Sequence, residues 1–272
     1  MKQVAPLRYD VIFKKAFSYP NLFTALVKDF LGIQLKINKV EHDKVFVPSV
    51  GNVGTKFDLF AEDKKNRVIV EIQHAHYSDS YERFIYYQCS AMVQTIISSN
   101  DYSFPVTVIT IVFFTGKKTP SPDSGIIVHD FEPRDFVTGK LLDKVYQCKH
   151  QLIFVFTNDS THANIPKPCR EWMLAIDDSL DEKVDEAKYT NPSIQTLFCV
   201  IEKDKITPEE RARMKEEYNR EEAKTQAFKK GEQKGEQKGI KETARKLKAL
   251  GTLTEEQIAS VTGLTLKIVK KL

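Results

Sequence analysis

No stretch of this 272-residue sequence stays apolar long enough to cross a bilayer. The longest candidate, Val106 to Phe114, is about half of the ~20 residues a spanning helix needs, so no membrane partner is expected. The opening Met-Lys-Gln-Val-Ala-Pro-Leu-Arg lacks the apolar core of an export signal and reaches an acidic residue at Asp10. The four cysteines, Cys89, Cys148, Cys169 and Cys199, lie far apart and form no C-x-x-C pair. They read as reduced, mostly buried thiols of a cytoplasmic protein. A strong charge of one sign is missing too: 41 Lys and Arg stand against 37 Asp and Glu. That near-balance is uneven along the chain. Residues 206–272 carry 16 basic and 11 acidic side chains, and residues 1–205 carry 25 and 26. The basic excess thus sits in the tail, where contact with a nucleic-acid backbone and a merely solvated helical face are both open readings.

What is present is a soluble composition, 29% charged and 41% hydrophobic, in a chain long enough for one sizeable domain and an appendage. Its most informative stretch is Phe57-Asp58-Leu59-Phe60-Ala61, a polar run Glu62 to Arg67, then Val68-Ile69-Val70-Glu71-Ile72-Gln73. Two β-branched and aromatic runs around a segment that no core would accept predict a hairpin. A turn centred between Lys64 and Lys65 sets Asp58 directly opposite Glu71, and places Gln73 on the same strand face as Glu71. Opposed carboxylates would lie only ~5 Å apart at Cβ and repel, so the pair calls for a cation. Hard oxygen donors suit Mg²⁺ or Mn²⁺. The alternative is that one acid simply lies on the surface of an edge strand, since a one-residue slip separates the faces.

Around the hairpin, residues 8–17 and 21–31 predict two helices split at Tyr19-Pro20-Asn21, with Phe13, Phe17, Phe23, Leu26, Val27 and Phe30 at helical spacing. Asp10 either projects toward the acid pair or favours the positive end of its own helix. Residues 37–47 predict a strand, and Val50 to Gly54 a loop. His74 and His76 resemble an H-x-H metal pair, but on a continuing strand both point away from the Glu71 face. Residues 79–99 predict an amphipathic helix, on which Arg83 reaches a phosphate, a site carboxylate or a structural partner. Phe104–Phe114, Ile126–Phe131 and Leu152–Phe156 read as strands, the first covered on both faces. Residues 169–200 are helical in pattern. Thr207-Pro208-Glu209-Glu210 opens a long polar helix. Within it Gly231, Gly235 and Gly239 recur every fourth residue, either a smooth stripe for a partner helix or a flexible linker. Beyond Gly251, Thr254 to Leu272 is similar to a helix-turn-helix, read either as a DNA reader or as a packing module.

Asp58 and Glu71-Ile72-Gln73 behind an apolar strand resemble the D-(x)n-E-x-K core of PD-(D/E)XK nucleases, most closely the transposase-like, recombination-promoting branch, in which E-x-Q is common. Asp10-Val-Ile-Phe13-Lys14-Lys-Ala-Phe17 is similar to that branch's D-x-x-F-K opening. Arg83 with Tyr86-Tyr87 resembles its R-x-x-Y-Y helix, and Asp101-Tyr102 before Pro105-Val106 the entry to its next strand. The one departure from the wider superfamily is Gln73, where a lysine usually stands.

The resemblance implies an α/β fold: a restriction-endonuclease-like core with a central mixed sheet flanked by helices, plus an α-helical C-terminal extension. Expected divisions are a nuclease domain over 1–205, a charged helical stalk over 206–250 and a helix-turn-helix-like segment over 251–272. It further implies a metal-dependent DNA endonuclease using Mg²⁺ (or Mn²⁺), held by Asp58, Glu71 and the backbone carbonyl of Ile72. Asp58, Glu71 and Gln73 would be catalytic, Gln73 orienting the attacking water, with Asp10 and Arg83 as further candidates. DNA is the expected partner, together with a second copy of the chain bound through the C-terminal helical region. The rival reading is a DNA-binding or regulatory protein with a weakened or vestigial nuclease site.

Overall fold

The computed structural model describes residues 1–46, 54–74, 81–96, 100–116, 125–142, 148–159 and 164–272. After a two-residue strand β1 (Lys2–Gln3), helix α1 (Asp10–Phe17) turns Ile12, Phe13, Ala16 and Phe17 inward. Helix α2 (Pro20–Leu31) begins on a proline, whose missing N–H costs nothing in a first turn, and ends at Gly32 with a left-handed φ of 67°. Strands β2 (Glu41–Phe46), β3 (Thr55–Glu62) and β4 (Asn66–His74) follow, then helix α3 (Glu82–Val93) and strands β5 (Thr107–Thr115), β6 (Ile126–Asp130) and β7 (Gln151–Phe156). Helix α4 (Lys167–Ser179), strand β8 (Lys183–Val184), which pairs with β1, and helix α5 (Pro192–Val200) come next.

Six strands form one mixed sheet in the order β2-β3-β4-β5-β7-β6. β4, β5 and β7 run parallel at its centre, and the remaining pairs are antiparallel. The central strands carry long apolar runs because both faces are covered. On β5, Ile109, Ile111 and Phe113 join the large core beneath α1, α2, α4 and α5, and Val112 and Phe114 face Phe84 of α3.

Two helices differ from the sequence expectation. α3 is shorter than 79–99, stopping at Val93; Thr95 Oγ1 donates to the Met92 carbonyl at 2.7 Å and ends the regular pattern. The stretch expected to be helical over 169–200 is two helices, because Asn191 caps Pro192 and a proline starts a helix far more readily than it continues one.

The chain divides into two compact units, Met1–Met214 and Lys215–Leu272. Helix α6 (Pro208–Leu250) runs unbroken through Gly231, Gly235 and Gly239, a helix rather than a linker, and a Cβ built on any of the three would meet nothing within 4 Å. At its end, Ala244 packs with Ile258 of α7 (Glu255–Thr262) and Val269 of α8 (Leu266–Lys271), all three fully buried. A capping box between Thr254 and Gln257 starts α7, and Gly263, at φ 70°, turns the chain into α8. Among the described residues no helix is long and apolar enough to cross a membrane.

Candidate active site

The site is built on the β3–β4 hairpin. Its tip is an Asx turn: Asp63 Oδ1 accepts from the amides of Lys65 and Asn66, both at 2.8 Å. From there the ladder runs Glu62↔Arg67, Ala61↔Val68, Phe60↔Ile69 and Leu59↔Val70, the register read from the sequence. One step further the two acids face each other and the regular pattern changes. The Asp58 amide donates to Glu71 Oε1 at 2.9 Å, and the Ile72 amide donates to Asp58 Oδ2 at 3.2 Å. Each carboxylate thus takes a main-chain donor of the opposite strand. Strict alternation would put Phe57 and Phe60 on opposite faces, yet both pack with Phe46, Ile69 and Val108. The strand turns over at Asp58, and this carries its side chain to the edge reached by α1.

That edge holds residues the sequence reading left unassigned. Lys14, four residues after Asp10 on α1, places its ammonium 2.7 Å from Asp10 Oδ1, 2.8 Å from Asp43 Oδ1 and 3.5 Å from Asp58 Oδ1. Asp43 falls opposite Asp58, between the paired His42↔Leu59 and Lys44↔Phe57. It is one of two non-glycine residues with positive φ, 56°, among those described. Asp43, Asp58 and Glu71 therefore form a row of acids across three neighbouring strands. Lys56 closes on Asp43 from solvent at 2.7 Å.

Electrostatics divides this row. Burial raises the Asp43 carboxyl, but the hydrogen bonds from Lys14 and Lys56 outweigh it and hold it well below the usual carboxylate range. Burial, and then the charge of Asp10, push Asp58 up to about 6, against the opposing pull of Lys14 and of the Ile72 amide. Glu71, 6% exposed, is raised by burial and then by the charge of Asp58. The acid pair is therefore short of positive charge.

Gln73 lies at the end of β4, and its amide oxygen accepts from Arg83 Nη2 of α3; its Nε2 donates to the His74 carbonyl at 3.1 Å. Arg83 thus meets Gln73, with its guanidinium 4.5 Å from the centre of the Phe84 ring. His74 Nδ1 lies 2.9 Å from Thr115 Oγ1, and His76 falls outside the described residues.

The profile of the PD-(D/E)XK nuclease family transposases matches residues 7–230. The chain belongs to that family. No curated protein and no solved structure matches it. The six-stranded mixed sheet with helices on both faces is accordingly a restriction-endonuclease-like α/β fold, and a nuclease- or transposase-like function goes with it. PD-(D/E)XK nucleases typically use divalent metals. Among the described residues no three His, Cys, Asp or Glu side chains gather tightly enough to hold an ion by themselves. The pair that is present, two under-compensated carboxylates, fits a hard divalent ion that takes one or two carboxylates from protein and keeps waters in its remaining positions. Sequence reasoning named Lys14 only within the D-x-x-F-K opening, without a role, and missed Asp43. The Asp10–Lys14 spacing of one helical turn was the available signal for the first, and nothing local marked the second.

Proposed function

We propose that the protein is a Mg²⁺- or Mn²⁺-dependent DNA endonuclease. The observation that supports this most is the apposition of Asp58 and Glu71, each bonded to an amide of the other's strand. These two side chains, with the Ile72 carbonyl, would hold the ion. When bound, it supplies Lewis-acid polarisation of the scissile phosphate and a bound water of lowered pKa. The protein's own share is to fix the two carboxylates on a rigid hairpin. Asp10 enters through Lys14. Gln73 acts jointly with Arg83: its oxygen steadies the guanidinium, and the coupled pair presents a hydrogen-bonding cation at the end of β4 for water or phosphate. Two copies joined along the glycine stripe of α6 would present two such sites to a duplex, and the absence of any neighbour within 4 Å of the stripe among the described residues suits that role.

Conversion of supercoiled plasmid to nicked circles, with Mg²⁺, Mn²⁺ or EDTA, tests the proposal. Nicking that needs the metal and disappears in Asp58→Asn and Glu71→Gln supports it. Metal-independent nicking, or undiminished nicking by folded Asp58→Asn protein, overturns it. The second reading, a DNA-binding protein with a weakened site, is favoured by Gln73 in place of lysine, and would show metal-insensitive binding without cleavage.

A further inference from the structure

We propose that Lys14 is an internal counter-ion of the metal-free site, an ammonium clip across Asp10, Asp43 and Asp58 that a divalent cation loosens when it binds. The inference rests on the metal site proposed above, and it gives a task of its own to a residue that there only links Asp10 to the site.

Four observations carry it. The Lys14 side chain is only 12% exposed, so its charge is committed to its protein partners rather than to water. Those partners come from three separate elements, α1, β2 and β3, and converge on one nitrogen. Asp43 reaches it from a left-handed backbone conformation, uncommon for residues other than glycine and adopted among them mostly by Asn and Asp. The contacts are also unequal: Asp10 and Asp43 lie at 2.7 and 2.8 Å, Asp58 at 3.5 Å. The ammonium is thus anchored on two acids that take no part in the proposed metal set, and only leans on the one that does. A cation arriving between Asp58 and Glu71 repels Lys14 and competes for Asp58. Lys14 can then give up its weakest contact without leaving its anchors.

The test compares full-length wild type with Lys14→Met, which keeps the buried stem, and Lys14→Arg, which keeps the charge. Calorimetric titration with Mn²⁺ reads the affinity. Lys14→Met should bind about tenfold more tightly or better, because a like charge near the ion is gone, and Lys14→Arg should stay close to wild type. Mn²⁺ should also raise the Tm of Lys14→Met by more than it raises that of wild type. In the wild-type protein, where folding is not at issue, the Lys14 ¹⁵Nζ resonance should move over the Mg²⁺ range that saturates the site. Unchanged or weaker Mn²⁺ binding by folded Lys14→Met, or an Nζ resonance indifferent to Mg²⁺, overturns the clip. So does Lys14→Met that binds Mn²⁺ like wild type yet no longer nicks DNA, which would make Lys14 a phosphate-contacting residue. The two proposals fail separately. Tighter Mn²⁺ binding without any nicking removes the endonuclease and keeps the clip; metal-dependent nicking with unaltered affinity does the reverse.

Discussion

Glu71 and Glu171 are nearly equally buried, 6% and 7% exposed, yet their carboxyls are pushed in opposite directions. Glu171, on α4, is raised by burial, but this is outweighed by the Thr190 hydroxyl at 2.6 Å, the Asn191 amide at 2.9 Å and Lys167 at 3.6 Å, so its pKa falls below the ordinary value. Glu71 has the Asp58 amide and, beside it, the Asp58 carboxylate, and its pKa rises. Exposed area is common to both; how deeply protein surrounds the carboxyl, and which partners it meets there, are not. A buried acid that is fully bonded holds the fold together, and one that is left short of positive charge is waiting for something else.

Swapping charge for an isosteric amide should break the pair most sharply. Glu71→Gln and Asp58→Asn are expected to lower plasmid nicking at least about a hundredfold. Glu171→Gln, assayed where it is folded, should nick like wild type. Comparable losses from Glu171→Gln would erase the distinction.

Stability should reverse the ranking. Glu171→Gln removes charge-assisted hydrogen bonds and is expected to cost about 1–3 kcal/mol in urea unfolding. Asp58→Asn should stabilise the metal-free protein at pH 8 by roughly 1–3 kcal/mol, and the gain should vanish at pH 4. The sign follows from the direction of each shift. A carboxyl raised in the fold, like Asp58 at about 6, favours folding while protonated, and that contribution is lost as pH climbs from about 4 through about 6. Glu171, lowered in the fold, contributes above the ordinary glutamate range and loses its contribution as pH falls. Unfolding curves of the two variants should therefore both part from wild type at high pH, in opposite directions, and rejoin it as pH falls.

Mg²⁺ sharpens the contrast in a third way. It should raise the Tm of wild type and of Glu171→Gln by several degrees at pH 8, and less at pH 5, where protons compete. Glu71→Gln should lose most of that shift; retaining it would place the ion elsewhere.

The smallest effect is expected at Gln73. Gln73→Lys supplies the residue usual in the superfamily, but its ammonium would face the Arg83 guanidinium that now donates to the amide oxygen. A fall of about threefold to tenfold in nicking is expected, partly recovered by Arg83→Gln. A rise in rate from Gln73→Lys alone would show that Arg83 gives way without cost.

The hairpin was legible because it is local. Two apolar runs of matched length and a turn rich in Lys, Asp and Asn fix its register, and with it the meeting of Asp58 and Glu71. Asp43 was not legible. It sits in the charged run Glu41-His42-Asp43-Lys44, and only the pairing of β2 with β3 brings it beside Asp58. Lys14 was visible as part of a motif, one helical turn after Asp10, but its other two acids, Asp43 and Asp58, come from parts of the chain that no sequence period connects to it. The bond between Arg83 and Gln73 joins a helix to a strand across residues 75–80, which fall outside the described residues, and spacing alone gave no reason to choose it over a carboxylate.

The Asx turn at the hairpin tip has a further consequence. Asp63 also accepts the Lys36 amide at 3.2 Å, so the tip is tied to the chain after α2 as well as to itself. Asp58 lies as many residues before Asp63 as Glu71 lies after Asn66. The hairpin is thus a pair of calipers with legs of equal length and a fastened pivot. Lengthening one leg by a single residue would swing its acid to the far side of the sheet, however well every other contact survived. Tolerance for insertion should therefore drop abruptly between Asp58 and Glu71, in a stretch whose exposed lysines would otherwise look like the most expendable residues of the protein.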